Sequence, residues 1–152
     1  MLRKLGFMLL WPGLFLYFLG SKRARVVLRH DDEILLIRDS SRYFSDQTLW
    51  TLPGGGIHAG EEATDAAVRE LHEELGVSIE PDILRFLSRE RSGGYRLRYT
   101  AYFYDAQVTQ KPKLVVPSKE VCDAQWFSIE AASQLPLKRE AYRVLQLLAE
   151  QR

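Results

Sequence analysis

Residues Gly54 to Val77 read GGGIHAGEEATDAAVRELHEELGV, and within them Glu70, Glu73 and Glu74 stand at i, i+3 and i+4. On a helix this spacing projects all three carboxylates from one side. Three acids on one face repel each other, so a stable fold needs positive charge there. A hard divalent cation answers that need, because carboxylate oxygens suit Mg²⁺, Mn²⁺ or Ca²⁺ better than soft metals.

The local sequence favours that helix. Residues 62–75 contain neither Gly nor Pro and are rich in Ala, Leu, Glu and Arg, all good helix formers. Gly60 and Gly76 bracket the run as end signals. At about 100° per residue, Ala67, Val68, Leu71 and Leu75 form one apolar stripe. Glu70, Glu73 and Glu74 fall on the neighbouring stripe with Ala63 and Ala66. The apolar stripe is expected to dock on a sheet while the acids line a cleft, with the alanines leaving room for a bulky anion and its metal.

From Gly55 the chain runs Gly, five residues, Glu61, seven residues, then Arg69-Glu70-Leu71-His72-Glu73-Glu74-Leu75-Gly76-Val77. This resembles the Nudix box at every defined position, and Leu52-Pro53-Gly54-Gly55-Gly56 resembles the family's approach to it. The resemblance covers residues 24–150 or so. It implies a Nudix-type α/β/α sandwich with a mixed β-sheet, and a Mg²⁺-dependent hydrolase (Mn²⁺ as substitute) of a diphosphate linkage. It also implies roles: Glu73 and Glu74 first among the metal ligands, with the Gly55 carbonyl, and Glu70 as a further ligand or the base. Arg69 would pair with a box carboxylate, its alternative being an ordinary exposed helix charge. Glu61 would orient the loop or the ligands, or serve simply as a favourable acid at a helix N-terminus.

The rest of the composition fits one small globular domain. At 152 residues there is length for one real core and not for two comfortable ones. Charged residues at 27% with 46% apolar residues exclude general disorder. A net charge of +1 gives no field for bulk nucleic acid as partner. Cys122 is the sole cysteine, so no internal disulfide forms and a reducing, cytoplasmic setting is the natural reading. Cys122 itself reads as a small buried or half-buried residue rather than a nucleophile.

Residues 1–23 stand apart from the domain expected over 24–152. Leu5 to Gly20 reads LGFMLLWPGLFLYFLG, uncharged and flanked by Arg3, Lys4, Lys22, Arg23 and Arg25. It is shorter than the ~20 residues that span a bilayer, and Pro12-Gly13 interrupts it. Three readings stay open: a short inserted anchor, a helix lying on an anionic membrane surface, or a helix packed on protein. The oligomeric state is open as well.

Along the domain, ARVVLRH and EILLIRD around Asp31-Asp32 predict a hairpin. A polar loop over 39–48 leads to a short strand at Leu49 to Leu52, and then to the glycine loop, where backbone can approach a ligand closely. Further strands are expected at 78–90 and 96–108, joined by a turn at Ser92-Gly93-Gly94. A loop over 109–119 precedes a last strand at 125–129. A break at Ser133 to Pro136 and a helix over 138–150 close the domain.

Glu120 and Asp123, six and three residues before Trp126, resemble acids that family members carry ahead of the last strand. Glu120 is the candidate for auxiliary ligand or base, against a solvated loop acid. Candidate substrate contacts are Arg38, Arg98 and Tyr95, with Arg96 beside them. Tyr95 falls near where diadenosine-polyphosphate hydrolases of the family carry a tyrosine; packing in the sheet is its plainer role. Tyr43, Phe44 and Trp50 are candidates for base stacking or for the core. His58 stands where relatives frequently have Glu; His30 and His72 read as surface residues. The substrate expected is a small nucleotide, nucleoside triphosphates first. Two alternatives remain: a membrane-associated hydrolase of a lipid-linked or prenyl diphosphate, and a non-catalytic module that senses a nucleotide.

Overall fold

Two β-branched runs around an Asp-Asp turn form β1 (Lys22–His30) and β2 (Glu33–Asp39), an antiparallel hairpin whose Asp31 takes φ 52°. Asp tolerates that left-handed turn better than most residues do. The structure, a computed structural model, describes residues 21–40, 48–92, 99–116 and 120–150. The remaining elements are helix α1 (Ala63–Leu75), strands β3 (Arg85–Ser92), β4 (Tyr99–Gln107) and β5 (Val121–Ser128), and helices α2 (Ile129–Ser133) and α3 (Arg139–Glu150). The strands make one sheet in the order β3-β4-β1-β2-β5. Pairing is parallel between β1 and β4 and antiparallel elsewhere, so the sheet is mixed as expected.

Alternation along the central strands gives each face its own core. Ala24, Val26, Leu28, Leu35 and Ile37 point to one side and meet Ala66, Ala67, Leu71 and Leu75 of α1. Val27, Ile34 and Leu36 point to the other and meet Ala141, Val144, Leu145 and Leu148 of α3. Fully buried leucines such as Leu71 and Leu75 contribute about 1.5–3 kcal/mol each. The result is an α/β/α sandwich. Helix α1 ends where Gly76 turns left-handed at φ 69°, its N–H donating to the His72 carbonyl while Val77 N–H reaches Leu71.

The segment that carries the chain to α1 is inserted into the sheet. The described β1–β2 pairing joins Arg29 with Ile34 and His30 with Glu33, beside the turn. Below that, residues 50–57 lie between the two strands. Toward β1, Ala24 N–H donates to the Gly55 carbonyl (2.9 Å), Val26 N–H to Pro53 (3.0 Å), and Ile57 N–H to Lys22 (2.9 Å). Toward β2, Thr51 and Ile37 exchange both backbone bonds at 2.9 Å. The glycine loop is therefore a wedge held from both sides.

Several boundaries differ from the sequence reading. The strand expected at Leu49 to Leu52 is reduced to isolated bridges, Thr51 with Ile37 and Trp50 with Leu137, because Pro53 has no N–H with which to extend the ladder. Residues 78–80 are not strand; Pro81 starts a 3-10 turn over Pro81–Ile83 and pairing begins at Arg85. Strand β5 starts at Val121, four residues before the expected Gln125, and follows β2 through an irregularity at Arg38/Asp39. Helix α2 precedes the break expected at Ser133, capped by the Ser128 hydroxyl, which accepts from Ala131 N–H at 3.1 Å. Cys122 is exposed rather than buried, with Sγ 3.4 Å from the carbonyls of Arg38 and Asp39. His30 is half-buried, edge-on to Trp126. Residues 5–20, the aromatics Tyr43 and Phe44, and the turn with Tyr95, Arg96 and Arg98 lie outside the described residues. No helix among the described residues is long and apolar enough to cross a membrane.

Candidate metal centre

The acids of α1 divide by burial. Glu70 and Glu74, four residues apart, are 7% and 5% exposed, while the Glu73 side chain is 58% exposed. Glu120 arrives from the loop before β5 and is exposed. One carboxylate oxygen from each of Glu70, Glu74 and Glu120 lies within 4.8 Å of the others. Three elements thus converge: α1 supplies two acids, the loop before β5 a third, and the glycine wedge the wall beside them.

The wedge is fitted to the acids. Gly54 N–H donates to Glu74 Oε2 at 2.8 Å. At Gly55 a Cβ would come within 2.5 Å of the Glu70 carboxylate, so only glycine lets the backbone pass so close. The Gly55 carbonyl already accepts from Ala24 N–H, leaving its second lone pair.

Arg69 ties the outer acids together. Its Nε donates to Glu61 (2.8 Å), one terminal nitrogen to Glu70 (2.9 Å) and Glu73 (3.1 Å), the other to the Gly56 carbonyl (2.7 Å). Glu61 also accepts from His58 N–H at 2.8 Å. With Arg69 as first cause and that N–H as second, the Glu61 carboxyl is lowered to about 2 and stays ionised. Glu73 therefore faces Arg69 at the rim, while Glu120 stands with Glu70 and Glu74.

Burial acts oppositely on the inner pair. It raises Glu70, which also faces the negative Glu73 and Glu120, although the Arg69 hydrogen bond opposes it. Glu74 is pushed up to about 8, chiefly by burial, against the pull of Arg25 and Gly54 N–H. Oxygen-only donors, buried and mutually repelling, fit a hard divalent cation. A metal must displace the proton from Glu74, so binding near pH 7 is expected to release protons. Calorimetry of Mn²⁺ binding in buffers of different ionisation enthalpy checks this; a heat independent of buffer would contradict it.

The other candidates sit elsewhere. Arg38 pairs with Asp123 and lies 4.8 Å over the Trp50 ring. Trp50 is a core residue, edge-on to Phe127 at 4.9 Å. His58 and His72 are exposed.

A buried ion pair under the wedge escaped the sequence reading. Arg25 and Glu140 are each 5% exposed and approach to 3.1 Å. Arg25 also donates to the carbonyls of Leu52 (3.3 Å) and Gly54, and Tyr99 O–H donates to Glu140 at 2.6 Å. Burial opposes the charge on Arg25, but Glu140 and Glu74 outweigh it and raise its pKa. Burial likewise opposes ionised Glu140, yet Arg25 and the Tyr99 hydroxyl lower it on balance. The available signal was Arg25 on the inward parity of an apolar strand.

Comparison with known proteins bears on the family and the fold. A family profile described as the NUDIX domain matches residues 20–148. Nudix hydrolase 2 of Arabidopsis thaliana is 33% identical over 111 residues, 72% of this chain and 36% of that protein. The chain likewise spans less than half the length of several other curated relatives. An RNA pyrophosphohydrolase of Dinoroseobacter shibae is 30% identical over 119 residues, 66% of this chain and 74% of that one. Among solved structures, a MutT NUDIX hydrolase from Burkholderia pseudomallei superposes with TM-score 0.72 at 24% identity, covering 84% of this chain and 96% of that one. That likeness concerns the fold.

Proposed function

Because the chain belongs to the NUDIX domain family, we propose that it is a Mg²⁺-dependent hydrolase, with Mn²⁺ as a substitute, that cleaves a diphosphate linkage in a nucleotide derivative. The observation that carries the reading is the convergence of Glu70, Glu74 and Glu120 beside the glycine wedge. Named relatives support the nucleotide part: one is an RNA pyrophosphohydrolase and another an NAD-capped RNA hydrolase of Pseudomonas aeruginosa. Nucleoside triphosphates are the first substrates to try.

Glu70 and Glu74 would hold the metal, with Glu120 and Glu73 as further oxygen donors at the rim and the Gly55 carbonyl available beside them. The bound metal would neutralise phosphate oxygens and lower the pKa of a water. Arg69 keeps Glu70 and Glu73 oriented through charge-assisted bonds. Glu120, open to solvent and next to the buried acids, would serve either as that further donor or as the base that takes a proton from an attacking water. Positioning and charge neutralisation supply most of such a reaction, which asks little covalent chemistry of protein.

The test is a Mg²⁺-dependent hydrolysis screen of the whole chain against nucleoside triphosphates, dinucleoside polyphosphates, 5′-triphosphorylated and NAD-capped RNA, ADP-ribose and a prenyl diphosphate. Glu73→Gln serves as a first variant and is expected to lose orders of magnitude in rate while remaining folded. Turnover of a nucleotide substrate that needs the metal is the expected result. Turnover of the prenyl diphosphate alone would move the assignment to a lipid-linked substrate. Tight nucleotide binding with no turnover would replace the hydrolase with a sensing module.

A further inference from the structure

The site's acids rest on the wedge, and the wedge rests on a buried cation, Arg25, that bonds to its backbone. Arg25 projects from β1 toward the α3 face, the opposite side of the sheet from α1, where its guanidinium binds the Leu52 and Gly54 carbonyls on either side of Pro53. Pro53 offers no N–H, so this short stretch is held through its carbonyls, Val26 N–H on Pro53 and the guanidinium on its two neighbours. Immediately beyond it, Gly54 N–H fixes Glu74 Oε2 and the Gly55 backbone lies against Glu70. From the far side Glu140 of α3 holds Arg25 at 3.1 Å, and Glu140 is itself gripped by the Tyr99 hydroxyl at 2.6 Å. An ion pair and two hydrogen bonds thus run in sequence from α3 through the sheet to Glu74.

We propose that Arg25 is a positioning residue for the metal centre, with Glu140 as its counter-charge, so that α3 sets from beneath the wedge the spacing of the acids. The proposal rests on the metal-dependent reading above. A planar guanidinium spans two carbonyls and a carboxylate at once; an ammonium group keeps the charge and loses the span. A pair that merely stabilised the fold would be replaceable by neutral groups of similar volume, as buried ion pairs often are.

Two variants of the full chain separate these roles. Arg25→Met with Glu140→Gln removes both charges together and keeps an acceptor for Tyr99. Arg25→Lys keeps the charge and loses the span. Mn²⁺ alone is titrated by electron paramagnetic resonance into each protein, with thermal melting confirming the fold. The double variant is expected to melt near the wild-type temperature and to bind Mn²⁺ at least tenfold more weakly; Arg25→Lys is expected to lose at least threefold. Wild-type affinity in either folded variant would overturn the proposal, and if the double variant does not fold, Arg25→Lys decides alone. A wild-type chain that binds no Mn²⁺ would overturn the metal-dependent reading, and this proposal with it.

Discussion

Glu74→Gln is expected to lower metal-dependent hydrolysis by roughly 10³-fold while raising the stability of the metal-free protein at alkaline pH. Glu74 is the most enclosed of the box acids, with Gly54 N–H on one oxygen and burial lifting its carboxyl to about 8. Glutamine keeps an acceptor for that N–H but cannot become the anion that a hard cation requires. The stability change follows from linkage. A carboxyl raised from its ordinary 4.5 to about 8 in the folded state contributes stability that is complete below about pH 4.5 and is lost as pH rises through about 8. Gln removes that dependence. The variant and wild type should therefore melt together near pH 4, diverge as pH rises from about 4.5 to about 8, and keep a constant gap above that, with the variant higher. Thermal melts in chelator near pH 4 and at pH 9, beside steady-state rates, decide it. Activity within tenfold of wild type, or equal melting at pH 9, would defeat the assignment of Glu74.

The second large effect concerns two adjacent glycines that are expected to fail differently. At Gly54, φ is 126° and an added Cβ would fall 2.2 Å from the Ala24 carbonyl oxygen, which is backbone and cannot step aside. Gly54→Ala combines an unfavourable dihedral with a clash and is expected to cost about 2–5 kcal/mol, a fall in Tm of roughly 5–15 °C for a chain of this size. At Gly55 the atoms met are those of the Glu70 carboxylate at 2.5–2.6 Å, the free end of a side chain. Gly55→Ala should therefore push Glu70 out of place and leave the fold nearly intact. Its Tm is expected within a few degrees of wild type, with hydrolysis reduced roughly 10²-fold. Were Gly55→Ala to retain full rate, the close approach to Glu70 would have no functional meaning.

What the sequence disclosed and what it concealed divide along physical lines. The acidic stripe was legible because helical periodicity is local: four residues separate Glu70 from Glu74, and spacing alone sets their common face. The hairpin was legible for the same reason, with Asp31-Asp32 between two β-branched runs. Glu120 could be nominated only by its place before Trp126; its meeting with Glu70 and Glu74 is tertiary. The short strand at Leu49 to Leu52 showed β-like residues without showing that both its edges would be taken by strands already paired at their far end. Arg25 and Glu140 were overlooked because each looks ordinary alone. Together they are opposite charges on the inward parity of β1 and on the buried stripe of α3, a coincidence that needs the topology to be seen.

The insertion of residues 50–57 between β1 and β2 also sets which changes of length this chain can absorb. Bonds to β1 on one side and to β2 on the other index the segment against two rulers. One extra residue between Thr51 and Ile57 would put those two registers out of step and turn every side chain beyond it to the opposite face. Insertions belong at the Asp31-Asp32 turn, whose tip is solvent-exposed, whereas Pro53-Gly54-Gly55-Gly56 is fixed in number as well as in kind.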